Sequence, residues 1–127
     1  MTWRILIPLE IPSQNATERG RHWRARAHAT KARRTMWCSF CLGQMAHHGV
    51  PQAKGRRRLH IIAYRRQRCA DIGNLIGGAK ACIDGLTDAG LIADDRDSKA
   101  RITYDQEVAS KSPNKQPCTI LEIEEAL

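Results

Sequence analysis

The pattern of apolar and polar positions divides the chain into strand-like and helix-like stretches. Between residues 99 and 108, Ala100, Ile102 and Tyr104 alternate with charged or polar side chains. A period of two places alternate side chains on opposite faces of a strand, so this stretch predicts a half-buried strand. Three shorter apolar runs predict the other strands: Trp3–Glu10, Arg58–Arg65 and Cys118–Glu124.

Two longer stretches lack the strand pattern and predict helices. Between His22 and His47, Gly43 is the one residue that disfavours a helix, so we expect a long helix with a basic outer side. The stretch after Asp71 is more regular, because its apolar residues recur at the spacing of one helix face. The apolar sets are Ala25, Ala27, Ala29, Ala32, Met36, Phe40 and Met45 in the first helix, and Leu75, Ala79, Cys82, Ile83 and Leu86 in the second.

Residue types mark the ends of the second predicted helix. Asp71 or Gly73 lies near its N-terminus, and Gly90 stands where a helix-ending glycine belongs. Gly77 and Gly78 lower the helix propensity by roughly 1 kcal/mol each relative to alanine. We therefore expect close packing or the approach of a ligand to explain these two glycines.

The predicted order of elements is strand, helix, strand, helix, strand, strand. This order predicts an α+β fold in which a mixed β-sheet of about four strands packs with two main helices. A length of 127 residues suits one modest core, so we expect residues 1–127 to form a single domain.

Charge is distributed unevenly along the chain. Residues 1–68 hold 15 basic and 2 acidic side chains, whereas residues 69–127 hold 6 basic and 11 acidic ones, and the net charge of the chain is +8. A strongly basic half favours a polyanionic partner such as nucleic acid, and arginine, the main basic residue there, suits phosphate contact. A solvated basic surface without a partner is the alternative.

Hydropathy and cysteine content narrow the class of protein further. No apolar run approaches the roughly 20 residues of a membrane span, and residues 1–11 lack the features of a signal peptide, so we expect a cytoplasmic protein without a membrane partner. Five irregularly spaced cysteines favour reduced thiols over disulfides. Cys38 and Cys41, followed by His47 and His48, raise the alternative of a zinc site, but such cysteines on a helix are more often buried thiols.

Three aspartates around the second predicted helix are the candidate chemistry. Asp71 precedes the helix and Asp94 and Asp95 follow it, so their carboxylates converge if the connection folds back. Mg²⁺ prefers oxygen ligands and commonly takes one or two carboxylates together with phosphate. A carboxylate cluster in a basic protein is therefore typical of a metal-dependent nuclease. The alternatives are a helix N-cap for Asp71 and a solvated turn for the other two.

The segment from Asp71 to Asp95 resembles the signature region of RusA-type Holliday junction resolvases. That family has an Asp-x-Asp-Asn-Leu motif, a lysine on the following helix, and an Asp-Asp pair after an Ala-Gly-Leu turn. This chain has Asp-Ile-Gly-Asn-Leu from residue 71, then Lys80, and then Asp94 and Asp95 after Ala-Gly-Leu. Three shorter stretches extend the resemblance over nearly the whole chain with less specificity: Ile11–Asn15, Arg21–Arg24 and Arg65–Arg68.

The resemblance implies a homodimer that resolves four-way DNA junctions by paired nicks in recombination and repair, in a phage or prophage setting. It implies Mg²⁺ as cofactor, with Mn²⁺ as a substitute. Asp71, Asp95 and Lys80 would be catalytic, and Asp71, Asp94 and Asp95 would bind the metal. Lys80 is in register if residues 77–79 are an insertion. The candidate DNA contacts are Asn15, Arg21, Arg24, Lys31, Arg33, Arg34, Arg56, Arg57, Arg58, Arg65, Arg66 and Arg68.

Gly73 departs from the family pattern, because the resemblance leads us to expect a metal-binding aspartate there. Losing a carboxylate weakens a metal site that depends on oxygen ligands. One interpretation is a nuclease of reduced activity, in which Asp94, Asp84 or water takes the missing place. The other is a non-catalytic protein of the same fold that binds branched DNA or other nucleic acid. A ribosomal-type RNA-binding protein is a weaker third alternative.

Overall fold

The computed structural model describes residues 1–14, 22–96 and 98–125. Within these ranges the chain forms one four-stranded sheet and three α-helices. The predicted single α+β domain with a mixed sheet is confirmed. The elements are β1 Thr2–Ile7, α1 Trp23–His48, β2 Arg57–Arg65, α2 Ile72–Gly78, α3 Lys80–Asp88, β3 Ala100–Val108, a 3₁₀ turn at Ala109–Lys111, and β4 Cys118–Glu125.

The sheet has the strand order β1-β4-β2-β3. β2 and β3 run parallel, and the other neighbouring strands run antiparallel. Parallel neighbours need a crossover connection, which α2 and α3 supply between β2 and β3. β3 is an edge strand, and the chain enters it through the loop that carries Asp94 and Asp95.

The helices cover one face of the sheet. Ile5, Leu59 and Leu121 are at most 1% exposed and belong to the same core as Leu75 and Leu86 of the helices. This core explains the predicted alternation, because every second strand residue turns towards the helices. The opposite positions form an open face with exposed charged side chains: Arg4, Arg58, Arg101, Asp105 and Glu122.

α1 is the longest described helix, with 26 residues, and it matches the predicted stretch to within a residue at each end. The His22 side chain accepts a hydrogen bond from the backbone N–H of Arg24 at 3.3 Å, and Gly49, with a φ of 67°, ends the helix. Residues 23–36 are exposed at nearly every position, so the first half of α1 contributes little to the core. Among the described residues, no helix is both long and apolar enough to cross a membrane.

The buried side of α1 differs from the predicted side. Trp37, Cys41 and Met45 are buried, whereas Met36 and Phe40 are 48% and 42% exposed. The predicted apolar set was therefore wrong, except at Met45. The alanines of the exposed first half suggested an intermittent apolar face that the core does not use.

A close approach between α1 and α3 sets the rotation of α1. A Cβ built at Gly85 would lie 2.6 Å from the backbone oxygen of Arg34 and 2.8 Å from the Cβ of Trp37. Only a glycine fits there, because any side chain would push the two helices apart. Trp37 consequently faces α3, and the residues one position earlier in each turn face solvent.

The second predicted helix is divided at Ala79 into α2 and α3. Its predicted apolar face is confirmed, because all five residues of that set are at most 5% exposed. The close packing expected at the two glycines is confirmed as well. A Cβ at Gly78 would overlap the backbone oxygen of Pro12, and one at Gly77 would overlap the Gln14 side chain. Gly90, with a φ of 83°, follows α3 as predicted.

Candidate functional site

Asp71 caps the N-terminus of α2. Its backbone is extended, with φ −138° and ψ 158°, and its Oδ1 accepts a hydrogen bond from the backbone N–H of Asn74 at 2.8 Å. The N-cap interpretation of Asp71 is therefore confirmed. The side chain is exposed, so capping and contact with a ligand are compatible.

Gly73 lies beside the Asp71 carboxylate. A Cβ built at Gly73 would meet Asp71 Oδ1 at 3.2 Å, with no other neighbour within 4 Å apart from adjacent backbone. An aspartate at this position would bring a second carboxylate next to Asp71. Compared with the resolvase motif, Gly73 removes one donor, and an added Cβ would require the Asp71 carboxylate to shift by a few tenths of an ångström.

Asp94 is held by Arg96. The guanidinium donates from Nε and Nη2 to Asp94 Oδ2 at 3.0 and 2.8 Å, and the Arg96 backbone N–H donates to Oδ1 at 3.1 Å. The hydrogen bond from the Arg96 side chain is the main cause that lowers the pKa of Asp94 to about 2. Both carboxylate oxygens are engaged, so a metal ion would compete with Arg96 for this group.

Asp95 and Lys80 line one cleft beside the edge strand β3. The cleft has a volume of about 650 Å³, and α2, α3 and the loop after α3 supply its other walls. Tyr104 lines the same cleft, and burial raises the pKa of its hydroxyl, with further contributions from Cys82 and Asp95. The remaining walls are largely apolar: Gln14, Ile76, Gly77, Ile83, Ala100 and Ile102.

The three predicted metal ligands do not form one cluster. Asp71 lies at the N-terminus of α2 and does not line the cleft that Asp95 and Lys80 share. Within residues 1–14, 22–96 and 98–125, no three His, Cys, Asp or Glu side chains are placed to share a metal ion. The adjacent Asp94 and Asp95 suit Mg²⁺ only if phosphate oxygens and water complete its coordination.

Arg57 is not a DNA contact, which corrects the sequence-based prediction. It lies on the core side of β2 and is fully buried. Its guanidinium donates to the backbone oxygens of Leu91 and Pro51 at 2.8 and 2.7 Å, and to Glu125 Oε1 at 2.9 Å. It also stacks over Trp3, with 5.1 Å from Cζ to the ring centroid. Arg57 therefore stabilises the fold.

Other predicted DNA contacts are held by protein groups or lie away from the cleft. Arg34 donates from Nε and Nη2 to the two carboxylate oxygens of Asp88 at 2.6 and 2.7 Å. Arg65 donates from Nε to the backbone oxygen of Ile11 at 2.8 Å. Arg58 is exposed on the open face of the sheet, opposite the side that carries the cleft.

The remaining predicted DNA contacts reach the surface or lie beyond the described ranges. Asn15 and Arg21 lie outside the described residues. Arg56 is half-buried. The other predicted contacts are exposed or partly exposed, as phosphate binding requires: Arg24, Lys31, Arg33, Arg66 and Arg68.

The cysteines behave as free thiols. Cys41 is fully buried, and burial, with a contribution from Cys38, raises the pKa of its thiol to about 12. A buried thiol that stays protonated is typical of a core cysteine. The buried-thiol interpretation is thus confirmed for Cys41, whereas Cys38 is half-buried.

Three residues around the site were not predicted to take part. Arg26 lines a groove together with Arg33. A separation of seven residues places both on one side of a helix, and this spacing could have predicted the role of Arg26 from the sequence. Arg96 and Tyr104 gave no comparable signal. An arginine two residues after an aspartate is common, and so is a tyrosine on a strand. The importance of these two residues comes from tertiary contacts.

Comparisons with known proteins do not assign a family. The chain matches no protein-family model and no curated protein. The resemblance to RusA-type resolvases stays a prediction carried by the residues from Asp71 to Asp95.

Proposed function

We propose that the chain is a Mg²⁺-dependent endonuclease that nicks branched DNA, with the four-way junction as its substrate. The observation that carries this proposal is the cleft beside β3, which is lined both by Lys80, the first residue of α3, and by Asp95 in the loop after α3. A carboxylate suits a divalent cation, and an ammonium group suits a phosphate oxygen. The sequence resemblance assigns catalytic roles to the same two residues.

The metal would be held by Asp95 and Asp94, with phosphate oxygens and water as further ligands. Bound there, Mg²⁺ would lower the pKa of a coordinated water and offset negative charge on the scissile phosphate. Arg96 would have to release at least one oxygen of Asp94, since it engages both. Only the sequence resemblance supports Asp71 as a further ligand of the metal.

The protein groups of the cleft would position the substrate. Lys80 would donate from Nζ to a non-bridging oxygen of the scissile phosphate. The apolar side chains of Ile76 and Ile102 line the cleft beside this contact. Exposed arginines on the same side would bind the flanking phosphates.

A homodimer, acting in the cytoplasm, is part of the proposal. A four-way junction offers two equivalent strands, and a two-fold dimer places one site at each of them. Sedimentation equilibrium of the purified protein should give twice the mass of the chain, and a strict monomer would exclude paired nicking by one particle.

A nicking assay on a synthetic four-way junction tests the proposal. Wild type is compared with Asp95→Asn on the junction and on a linear duplex, with Mg²⁺, with Mn²⁺ and with EDTA. We expect junction-specific nicks that need the metal and fall at least 100-fold in Asp95→Asn, because metal activation supplies several kcal/mol. Asp105→Asn is the matched control, since Asp105 is exposed on the open face of the sheet. Equal nicking by wild type and Asp95→Asn would refute the role of Asp95.

A non-catalytic protein that binds branched DNA is the second candidate. The hold of Arg96 on Asp94 and the absence of a carboxylate at Gly73 favour it, because both reduce the donors available to a metal. Tight junction binding without cleavage in any divalent metal would establish this function instead.

The variant Gly73→Asp separates the two candidates. The new carboxylate would stand next to Asp71 once that side chain shifts by a few tenths of an ångström. Because the resemblance makes Asp71 a metal ligand, a weakened nuclease should then gain Mg²⁺-dependent cleavage by tenfold or more. Gly73→Asn is the control, because it has the same shape without the charge. No gain from Gly73→Asp would count against a nuclease limited by its metal donors.

A further inference from the structure

A second groove runs between α1 and the α2–α3 pair. It has a volume of about 370 Å³. Arg26, Thr30 and Arg33 of α1 form one wall, and Lys80 and Asp84 belong to the other. We call it the helix groove. It lies on the helical side of the sheet, away from the open face.

The wall formed by α1 has the spacing of one helix face. Arg26, Thr30 and Arg33 are at positions i, i+4 and i+7, so their side chains project in the same direction. The rise from Arg26 to Arg33 is about 10 Å, which corresponds to roughly three nucleotides along one strand of B-DNA. The wall is therefore long enough to contact two phosphates of a single strand.

The charge in the helix groove is positive and available. Arg26, Arg33 and Lys80 face one carboxylate, that of Asp84. In the part of the chain that the structure describes, none of these three cations makes an ion pair. Arg34, next to Arg33, is different because its guanidinium donates two hydrogen bonds to the carboxylate of Asp88.

The helix groove meets the Asp95 cleft. Gly77 and Lys80 line both, so Lys80 stands at the junction of the two spaces. The Gln14 side chain packs over Gly77 at this point. A polyanionic strand along α1 can continue to the carboxylate of Asp95 if that flexible side chain turns aside.

We infer that the helix groove binds the sugar-phosphate backbone of one DNA strand through Arg26, Arg33 and Lys80 and delivers that strand to the Asp95 cleft. The delivery rests on the proposed function of that cleft. The binding does not, because the phosphate contacts require neither metal nor cleavage.

Binding of a fluorescent four-way junction in EDTA, over a series of salt concentrations, tests the inference without any cleavage. In Arg26→Ala/Arg33→Ala the affinity should fall by about tenfold, and the slope of log K against log salt should become shallower by about 1.8, or 0.9 per lost contact. Arg4→Ala/Arg101→Ala removes the same charge from the open face and should change the affinity less than about twofold. Arg26→Lys/Arg33→Lys keeps the charge and should bind within about threefold of wild type.

Each outcome separates this inference from the nuclease proposal. A large loss in the helix-groove variant alone supports the inference, even if wild type never cleaves. Equal losses in the two alanine variants would show that general charge, and not the groove, binds the DNA. Unchanged binding by the helix-groove variant, together with Mg²⁺-dependent cleavage by wild type, would overturn the inference and leave the nuclease in place. No binding by wild type in EDTA would overturn the inference, and no cleavage in Mg²⁺ besides would overturn both.

Discussion

Two arginine-containing regions of this protein use the same side chain in opposite ways. At the start of β2, Arg57 is fully buried, and its guanidinium is saturated by two backbone carbonyl groups and Glu125. On α1, Arg26 and Arg33 line an open groove and make no ion pair within the described residues. The first region uses its charge to join parts of the fold, and the second leaves its charge available to a ligand.

This difference changes what can be concluded from the high positive charge of residues 1–68. A count of arginines treats every guanidinium as available to phosphate, but Arg57, Arg34 and Arg65 are committed to protein acceptors. Binding of a polyanion depends on the cations that are available to it. The prediction of polyanion binding therefore applies to the helix groove and does not follow from the total charge.

Replacement of Arg57 should have the largest effect on stability. Arg57→Ala leaves the carbonyl groups of Pro51 and Leu91 without a donor and Glu125 without its partner. The Glu125 side chain is 35% exposed, so most of the cost comes from the two carbonyl groups. Each loses its donor at about 1–3 kcal/mol, so urea unfolding should show a loss of about 2–6 kcal/mol. Arg58→Ala is the control, because the Arg58 side chain is 62% exposed, and it should cost less than about 0.5 kcal/mol. Similar losses in both variants would contradict the structural role of Arg57.

The next largest effect on stability is expected at Gly78, which lines the helix groove and packs against Pro12. Gly78→Ala adds a Cβ that overlaps the backbone oxygen of Pro12, so the free energy of unfolding should fall by about 1–3 kcal/mol, as for other overpacked sites. Gly43→Ala is the matched control, because a Cβ at Gly43 has no neighbour within 4 Å. A mid-helix alanine there should stabilise the protein by about 0.5–1 kcal/mol. If both variants were stabilised, the contact between Gly78 and Pro12 would not be tight.

The sequence predicts the sheet and the α2–α3 face well, because side-chain periodicity reports burial directly. The same reasoning fails for α1. Its exposed first half carries no strong pattern, and the choice between Met36 and Trp37 as the buried residue depends on contact with Gly85 of α3. The division at Ala79 accompanies packing of α2 against Pro12, which is distant in the sequence. Such effects arise only once the elements meet.

The candidate site shows the same limit at the level of single residues. Asp95 was predicted from its residue type and Lys80 from the resemblance, but their common cleft depends on how the crossover folds. Arg56, Arg57 and Arg58 are indistinguishable in the sequence. A shift of one residue in strand register exchanges the core side and the open side, so only the sheet determines that the middle arginine is buried.

Release of Arg34 from Asp88 should convert a committed arginine into an available one, with a smaller expected effect, measured as DNA affinity. Asp88→Asn removes the carboxylate that holds Arg34, and the freed guanidinium lies beside the helix groove on α1. The affinity for DNA in EDTA should rise about threefold, as expected for one added phosphate contact. Asp105→Asn makes the same change of charge on the open face and should leave the affinity unchanged. An equal rise in the two variants would attribute the gain to net charge.

The smallest expected effect is the pH dependence of the Arg34–Asp88 pair. The hydrogen bond from Arg34 lowers the pKa of Asp88 below its ordinary value. A lowered pKa in the folded state means that the pair stabilises the protein above the unfolded-state pKa of about 3.9, and that this stability is lost as the pH falls through the lowered pKa. Arg34→Gln should raise the pKa of Asp88 in an NMR titration, and its stability should approach that of wild type in acid. Arg58→Gln is the control, because it should leave the pKa of Asp88 unchanged. If Arg34→Gln also left that pKa unchanged, the pair would not persist in solution, and Arg34 would belong with the available cations of the helix groove.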